Sequence, residues 1–146
     1  MKIRIICVGK LSSAPMKELV ADYQSRLRHY VDIEIVEVAE SPTDNLQEEA
    51  VLIKQAMLQP ATTIALAIEG KAYSSQQLAT WIDEYQTYES MPLQFIIGGS
   101  NGLDRSLKTQ MISFSTMTFP HQLMRVLVLE QLYRAYKIIR HEPYHK

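Results

Sequence analysis

Three stretches of this chain hold groups able to do chemistry. At positions 121 and 125 a histidine and an arginine stand one helical turn apart, directly after the Ser/Thr-rich run "SFSTMTFP". An imidazole can accept a proton near neutrality, and a guanidinium can face an anion. At the C-terminus, "PYHK" sets Tyr144, His145 and Lys146 in a row. A polar aromatic, an imidazole and an ammonium group can together stack on a nucleobase and hydrogen-bond its edge. The third stretch, "FIIGGSNGL" (95–103), is a β-branched run that stops on two glycines and a turn pair. Backbone this permissive serves either a tight turn or the close approach of a ligand to the main chain.

Each stretch also has a plainer reading. Arg125 falls inside an apolar arc, where an arginine is costly unless it snorkels or finds an ion-pair partner. A terminal tail ordinarily frays. "GGSNG" is sufficient as a turn. His29, at the end of the first long helix, is simply a cation in a favourable place.

Several chemistries are disfavoured. G-x-G-x-x-G is absent and no Walker-type Lys-Ser/Thr follows the glycines. A pyrophosphate cradle is therefore not expected, nor nicotinamide or flavin oxidoreduction. No H-E-x-x-H, C-x-x-C or G-x-S-x-G occurs, and no histidine pair has ligand spacing, so no metal site and no Ser or Cys nucleophile is expected. The single cysteine, Cys7, lies in the first apolar run and reads as a buried structural thiol.

The elements that must position these groups follow from periodicity. Strands are expected at 2–9, 32–39, 62–70 and 93–99, with a short fifth at 112–115. Helices are expected at 15–30, from a Thr43 or Asp44 cap to about 58, from the Ser74/Gln77 capping box to 88, and from about 120 to 140. This is one α/β domain over residues 1–146, a mostly parallel sheet covered by helices on both faces. Ligands in such sheets sit beyond the carboxyl ends of the strands. Those ends are "EGK" (69–71), "GGSNG" (98–102) and "STMTFPH" (115–121), which the fold logic selects as the site.

The last helix has a wide apolar arc through Met124, Val128, Leu129, Leu132, Ala135, Tyr136 and Ile139. A narrower patch, Leu123, Leu127 and Ile138, lies opposite, and two apolar faces predict a partner subunit. Net charge is −1. Residues 1–102 hold eight Lys/Arg against thirteen Asp/Glu, whereas residues 103–146 hold seven against three. A basic C-terminal third predicts one localised anionic partner surface. The N-terminus lacks a signal-peptide pattern and no apolar run is long enough to span a bilayer, so a cytoplasmic location is expected.

"MKIRIICVGKL", "FIIGGSNGL" and "SFSTMTFPHQLMRVLVLEQLYRAYKIIRHEPYHK" together resemble the small bacterial ribosomal RNA large subunit methyltransferase H (RlmH) family of the SPOUT superfamily. The resemblance runs end to end and is most specific from Phe95 to Lys146. It implies a C-terminal trefoil knot, a homodimer, S-adenosyl-L-methionine as cofactor, and methylation of N3 of a pseudouridine in the 23S rRNA of the assembled 70S ribosome or large subunit. The family's cofactor positions fall on Leu66, Gly98, Phe114, Ser115, Thr116, Met117, Thr118 and Phe119. Two connections, after Glu40 and between Gly102 and Phe114, are shorter than is usual in that family.

The chemistry so implied asks the protein to place N3 in line with a methyl group and to ease loss of the imide proton. Arg125 is expected to stabilise charge on the base carbonyls. Tyr144 and His145 are expected to hold the base, with His145 as proton acceptor. The competing reading is a non-catalytic ribosome-binding or assembly factor on the same scaffold.

Overall fold

The computed structural model describes residues 1–108 and 110–146. Its strands β1 (Lys2–Val8), β2 (Asp32–Val38), β3 (Thr62–Ala72), β4 (Leu93–Ile97) and β5 (Met111–Ser113) form one sheet in the order β2-β1-β4-β3-β5, every pair parallel. The helices are α1 (Ala14–Leu27), α2 (Leu46–Ala56), α3 (Ser75–Tyr88) and α4 (His121–Ile139).

Strand alternation sorts the core into two layers. Ile3, Ile5 and Cys7 of β1 join Leu93, Phe95 and Ile97 of β4 against α1, α3 and α4. Ile6 and Val8, with Ile96, face Ala50 and Ile53 of α2 together with Leu103 and Leu107. Because both faces are covered, β4 is buried at every residue. Its one polar side chain, Gln94, is satisfied by the Leu58 amide and carbonyl and by the Thr63 hydroxyl. Cys7 is fully buried, and that burial pushes its thiol up to about 12, so it is inert.

Helix α4 lies across α1 and α3. Its expected arc is buried at Val128, Leu129, Leu132, Ala135 and Tyr136. Val126 is buried too, as is Tyr133, against whose ring Tyr23 and Tyr144 pack.

Three boundaries depart from the periodicity. Helix α1 stops at Leu27, and residues 28–30 close in a turn that lays Tyr30 against Tyr136. Helix α2 is capped by Asn45, whose side chain accepts from the amides of Gln47 and Glu48. Asp44, at φ +55°, instead sets the turn that delivers this cap. Strand β3 does not end at Gly70. It bulges between Leu66 and Lys71, both paired to Ile112, and resumes to Ala72. A Cβ on Gly70 would stand 2.7 Å from the Ile112 backbone, so only glycine lets β5 close over the bulge.

Candidate active site

The β3 bulge and the exit of β4 open on the same sheet edge. After Ile97 the chain folds straight back: the Gly102 amide donates to the Gly99 carbonyl, and Gly102 takes φ +82°. A Cβ on Gly98 would meet the Gly102 carbonyl at 2.5 Å. The glycines thus serve both readings open in the sequence, since the tight loop they permit is also one wall of a cavity.

That cavity, about 800 Å³, is lined by residues 66–69 of the bulge, 97–103 of the β4 exit, Lys108, Ile112, 114–115, 117–121 and Met124. Of the expected cofactor positions, Leu66, Gly98, Phe114, Ser115, Met117, Thr118 and Phe119 line it and Thr116 does not. The segment after β5 holds its shape by local hydrogen bonds: the Ser113 hydroxyl donates to the Ser115 carbonyl, and the Met117 amide donates to the Ser115 hydroxyl. Ile68 and Met117 are exposed at the cavity mouth.

The walls are mostly apolar, with glycine, serine, threonine and asparagine between. The ionisable lining groups are Glu69, Lys108 and His121. Lys108 Nζ donates to Glu69 Oε1 at 2.6 Å, and that bond holds the exposed Glu69 carboxyl below its ordinary pKa. A volume in the range of small-molecule sites, apolar walls and close-packed glycine backbone fit a neutral nucleoside with a short charged arm. Among the described residues, the lining offers no cluster of cations such as a pyrophosphate would need.

Arg125 lies beside the cavity, one turn beyond His121, and not in its wall. It is 2% exposed. The guanidinium donates to Glu37 Oε2 at 2.5 Å and to the Gly9 carbonyl at 2.6 Å, while Nε has no partner. Glu37 Oε2 also accepts from the Leu11 amide at 2.8 Å. Burial opposes ionisation of Glu37, but these two donors more than offset it and its pKa is lowered. Gln122 adds a second tie, accepting from the amides of Ser12 and Ser13 and donating to the Ser12 hydroxyl. The first turn of α4 is thereby fixed to the loop that leaves β1.

The tail is docked, not frayed. Tyr144 packs edge-on against Tyr133, donates to Glu130 Oε1 at 3.1 Å and lies under the Arg134 guanidinium. Burial, then hydrogen bonding to Tyr23, raises its phenol pKa, so it stays protonated. Arg134 donates to His145 Nδ1 at 3.1 Å, leaving Nε2 as the other ring nitrogen. From His121 to Arg134 is thirteen residues of helix, about 20 Å of rise. The structure therefore gathers the cofactor positions other than Thr116 around one cavity and leaves Tyr144 and His145 towards the far end of α4.

Sequence reasoning missed three features of this site. Glu37 carried no signal beyond strand alternation, and its role emerges only when Arg125 of α4 reaches it on β2. Glu69 sat in a stretch already singled out, but its pairing with Lys108 joins positions 39 apart and had no local signature. The Gln122 clasp joins positions 110 apart and had no local signature.

A parallel sheet with helices on both faces and a cavity between the β3 bulge, the β4 exit loop and the segment entering the last helix accords with the SPOUT class of methyltransferase, which a family match establishes. A family profile described as "predicted SPOUT methyltransferase" matches residues 1–145. The ribosomal RNA large subunit methyltransferase H of Bifidobacterium adolescentis is 45% identical over 159 aligned positions that cover all of both chains. That of Bacillus pumilus is 43% identical, again over the whole of both. The crystal structure of TrmJ from Z. mobilis superposes on 98% of this chain and 72% of that one, with TM-score 0.51 and 13% identity, a likeness of fold alone. The chain belongs to the ribosomal RNA large subunit methyltransferase H family.

Proposed function

We propose that this protein transfers the methyl group of S-adenosyl-L-methionine to N3 of a pseudouridine in 23S rRNA, acting in the cytoplasm on the 70S ribosome or the large subunit. The observation that carries this reading is the cavity, where the bulged β3, the β4 exit and residues 114–119 meet in a fold shared end to end with methyltransferases of that name.

The cofactor would lie against Leu66, Gly98 and the 114–119 segment, with its nucleoside among apolar walls and backbone edges. When bound, it supplies an electrophilic methyl on a sulfonium. What the protein adds is placement and removal of a proton. His145 is the acceptor in this reading, through Nε2, the ring nitrogen not engaged by Arg134, and Tyr144 helps to hold the base beside it. Arg125, read from the sequence as a contact to the base carbonyls, is proposed to act at one remove. It ties the first turn of α4 to Glu37 and Gly9 and so fixes His121 and the cavity floor.

The tail docks on α4 at Glu130, Tyr133 and Arg134, beyond the part of the helix that lines the cavity as far as Met124, and this separation supports a homodimer. Two copies with antiparallel α4 helices bring the tail of one to the cavity of the other. The half-buried Leu123, Leu127 and Ile138, and the exposed Ile68 and Met117, supply apolar surface for such contact. In this reading affinity comes from the shape of a large assembled substrate, with the basic C-terminal third meeting phosphate.

The test is methyl transfer from labelled donor to ribosomes lacking the modification, beside a short RNA hairpin of the same sequence. Label in 23S rRNA of ribosomes and little in the hairpin is the expected result. Equal turnover on the hairpin overturns the assembled-substrate reading, and no label on either overturns the enzyme reading.

A further inference from the structure

The cavity carries one pair of opposite charges on its wall. Glu69 stands on the β3 bulge and Lys108 on the connection between β4 and β5, and the two meet at 2.6 Å. The rest of the lining is apolar or neutral apart from His121, which sits at the start of α4 beside Gly9. Both partners keep contact with water, with side-chain exposures of 48% for Glu69 and 26% for Lys108. An ion pair this exposed is weakly held, so it can open without strain.

A sulfonium nucleoside has a neutral adenosine and, beyond the sulfur, an α-ammonium and an α-carboxylate on one carbon. The adenosine suits the apolar and backbone surfaces. The amino-acid arm needs one anion and one cation a few ångströms apart, and among the described lining residues Glu69 and Lys108 supply that arrangement.

We infer that the Glu69–Lys108 pair is the recognition clasp for the amino-acid end of the methyl donor, opening so that Lys108 takes the carboxylate and Glu69 the ammonium. In the free protein the two side chains satisfy each other; with the arm between them the charges alternate and both stay paired. The clasp is selective because it rewards ligands that carry both charges, and a nucleoside without the arm leaves the pair closed. Its position also couples donor binding to the 103–108 connection, since Lys108 follows the short helical turn at Arg105–Leu107 whose Leu107 is buried in the α2-side core. This inference rests on the S-adenosyl-L-methionine reading of the cavity.

The experiment is calorimetric titration with two neutral-sulfur probes, S-adenosylhomocysteine, which has the amino-acid arm, and 5′-methylthioadenosine, which lacks it. Variants Lys108→Met and Glu69→Gln are compared with wild type. Each substitution is expected to weaken S-adenosylhomocysteine about tenfold, the scale of one charge-assisted hydrogen bond, and to leave methylthioadenosine within about twofold. Unfolding midpoints close to wild type, measured alongside, establish that the variants remain folded. If both probes weaken equally, or S-adenosylhomocysteine is unaffected, the clasp is overturned while the cofactor reading stands. If neither probe binds wild type, the cofactor reading falls and the clasp with it.

Discussion

Arg125 and Glu37 form an unequal pair, and the inequality can be measured. Glu37→Gln keeps the shape and an acceptor for the Leu11 amide but removes the carboxylate facing a guanidinium that is 2% exposed and already has an unpartnered Nε. Stranding a buried charge in this way costs about 3–5 kcal/mol. Arg125→Met removes the guanidinium and leaves its acceptors behind, chiefly the Gly9 carbonyl and the Glu37 carboxylate. The Gly9 carbonyl loses its 2.6 Å donor, which costs about 1–3 kcal/mol. The Glu37 carboxylate, 41% exposed and still bonded to Leu11, is taken up by water. Glu37→Gln should therefore destabilise more than Arg125→Met, although the arginine is the larger and more buried residue. At about 2–4 °C per kcal/mol for a chain of this size, midpoints should fall by about 10 °C and about 5 °C respectively. Thermal and urea unfolding followed by circular dichroism and Trp81 fluorescence would read this, at one fixed protein concentration because the proposed dimer would unfold in a concentration-dependent way. Arg125→Met proving the more damaging, or both lying within about 0.5 kcal/mol of wild type, would refute the reasoning.

Other perturbations address the remaining links. Gly98→Ala puts a methyl 2.5 Å from the Gly102 carbonyl, so the β4 exit loop must open; donor affinity should fall about tenfold with a stability loss of about 1–3 kcal/mol, by calorimetry and thermal melts. Glu34, held down chiefly by its bond to Arg4, and Glu37 both have lowered pKa values. Their contribution is complete above the unfolded carboxyl value of about 4.3 and is lost as pH falls through the lower folded values. Unfolding free energy should thus drop on acidification, and less steeply in Arg125→Met. Mixing a tail-deleted chain with a Gly98→Ala chain should restore about a quarter of wild-type methyl transfer, because half the dimers are mixed and each has one intact composite site. No restoration would mean that each tail serves its own cavity.

Much of this fold is written in local pattern. The β-branched runs, the Ser74/Gln77 box and the α4 arc each specify an element through short-range physics, and their order alone implies a covered parallel sheet. The carboxyl-edge loops were legible for the same reason, since glycines and small hydroxyl residues mark where strands must end. The misreadings occur where tertiary contact overrides the local signal. "EGK" looks like a strand end, yet β5 pairs across Gly70 and the strand resumes. "PYHK" looks like a loose end, but Tyr133, Glu130 and Arg134 of α4 present an aromatic and charged surface that fixes it. Arg125 was marked by its misplaced charge, but its partner Glu37 is 88 positions away on β2, and no spacing rule connects them.

The central claim is that residues at the carboxyl edge of this sheet hold the methyl donor. A crystal structure of the protein with bound S-adenosylhomocysteine tests it most directly. The account predicts density along Leu66, Gly98 and residues 114–119, with the amino-acid arm between Glu69 and Lys108. Density on any other face of the molecule, or a cavity left empty at saturating ligand, would contradict it.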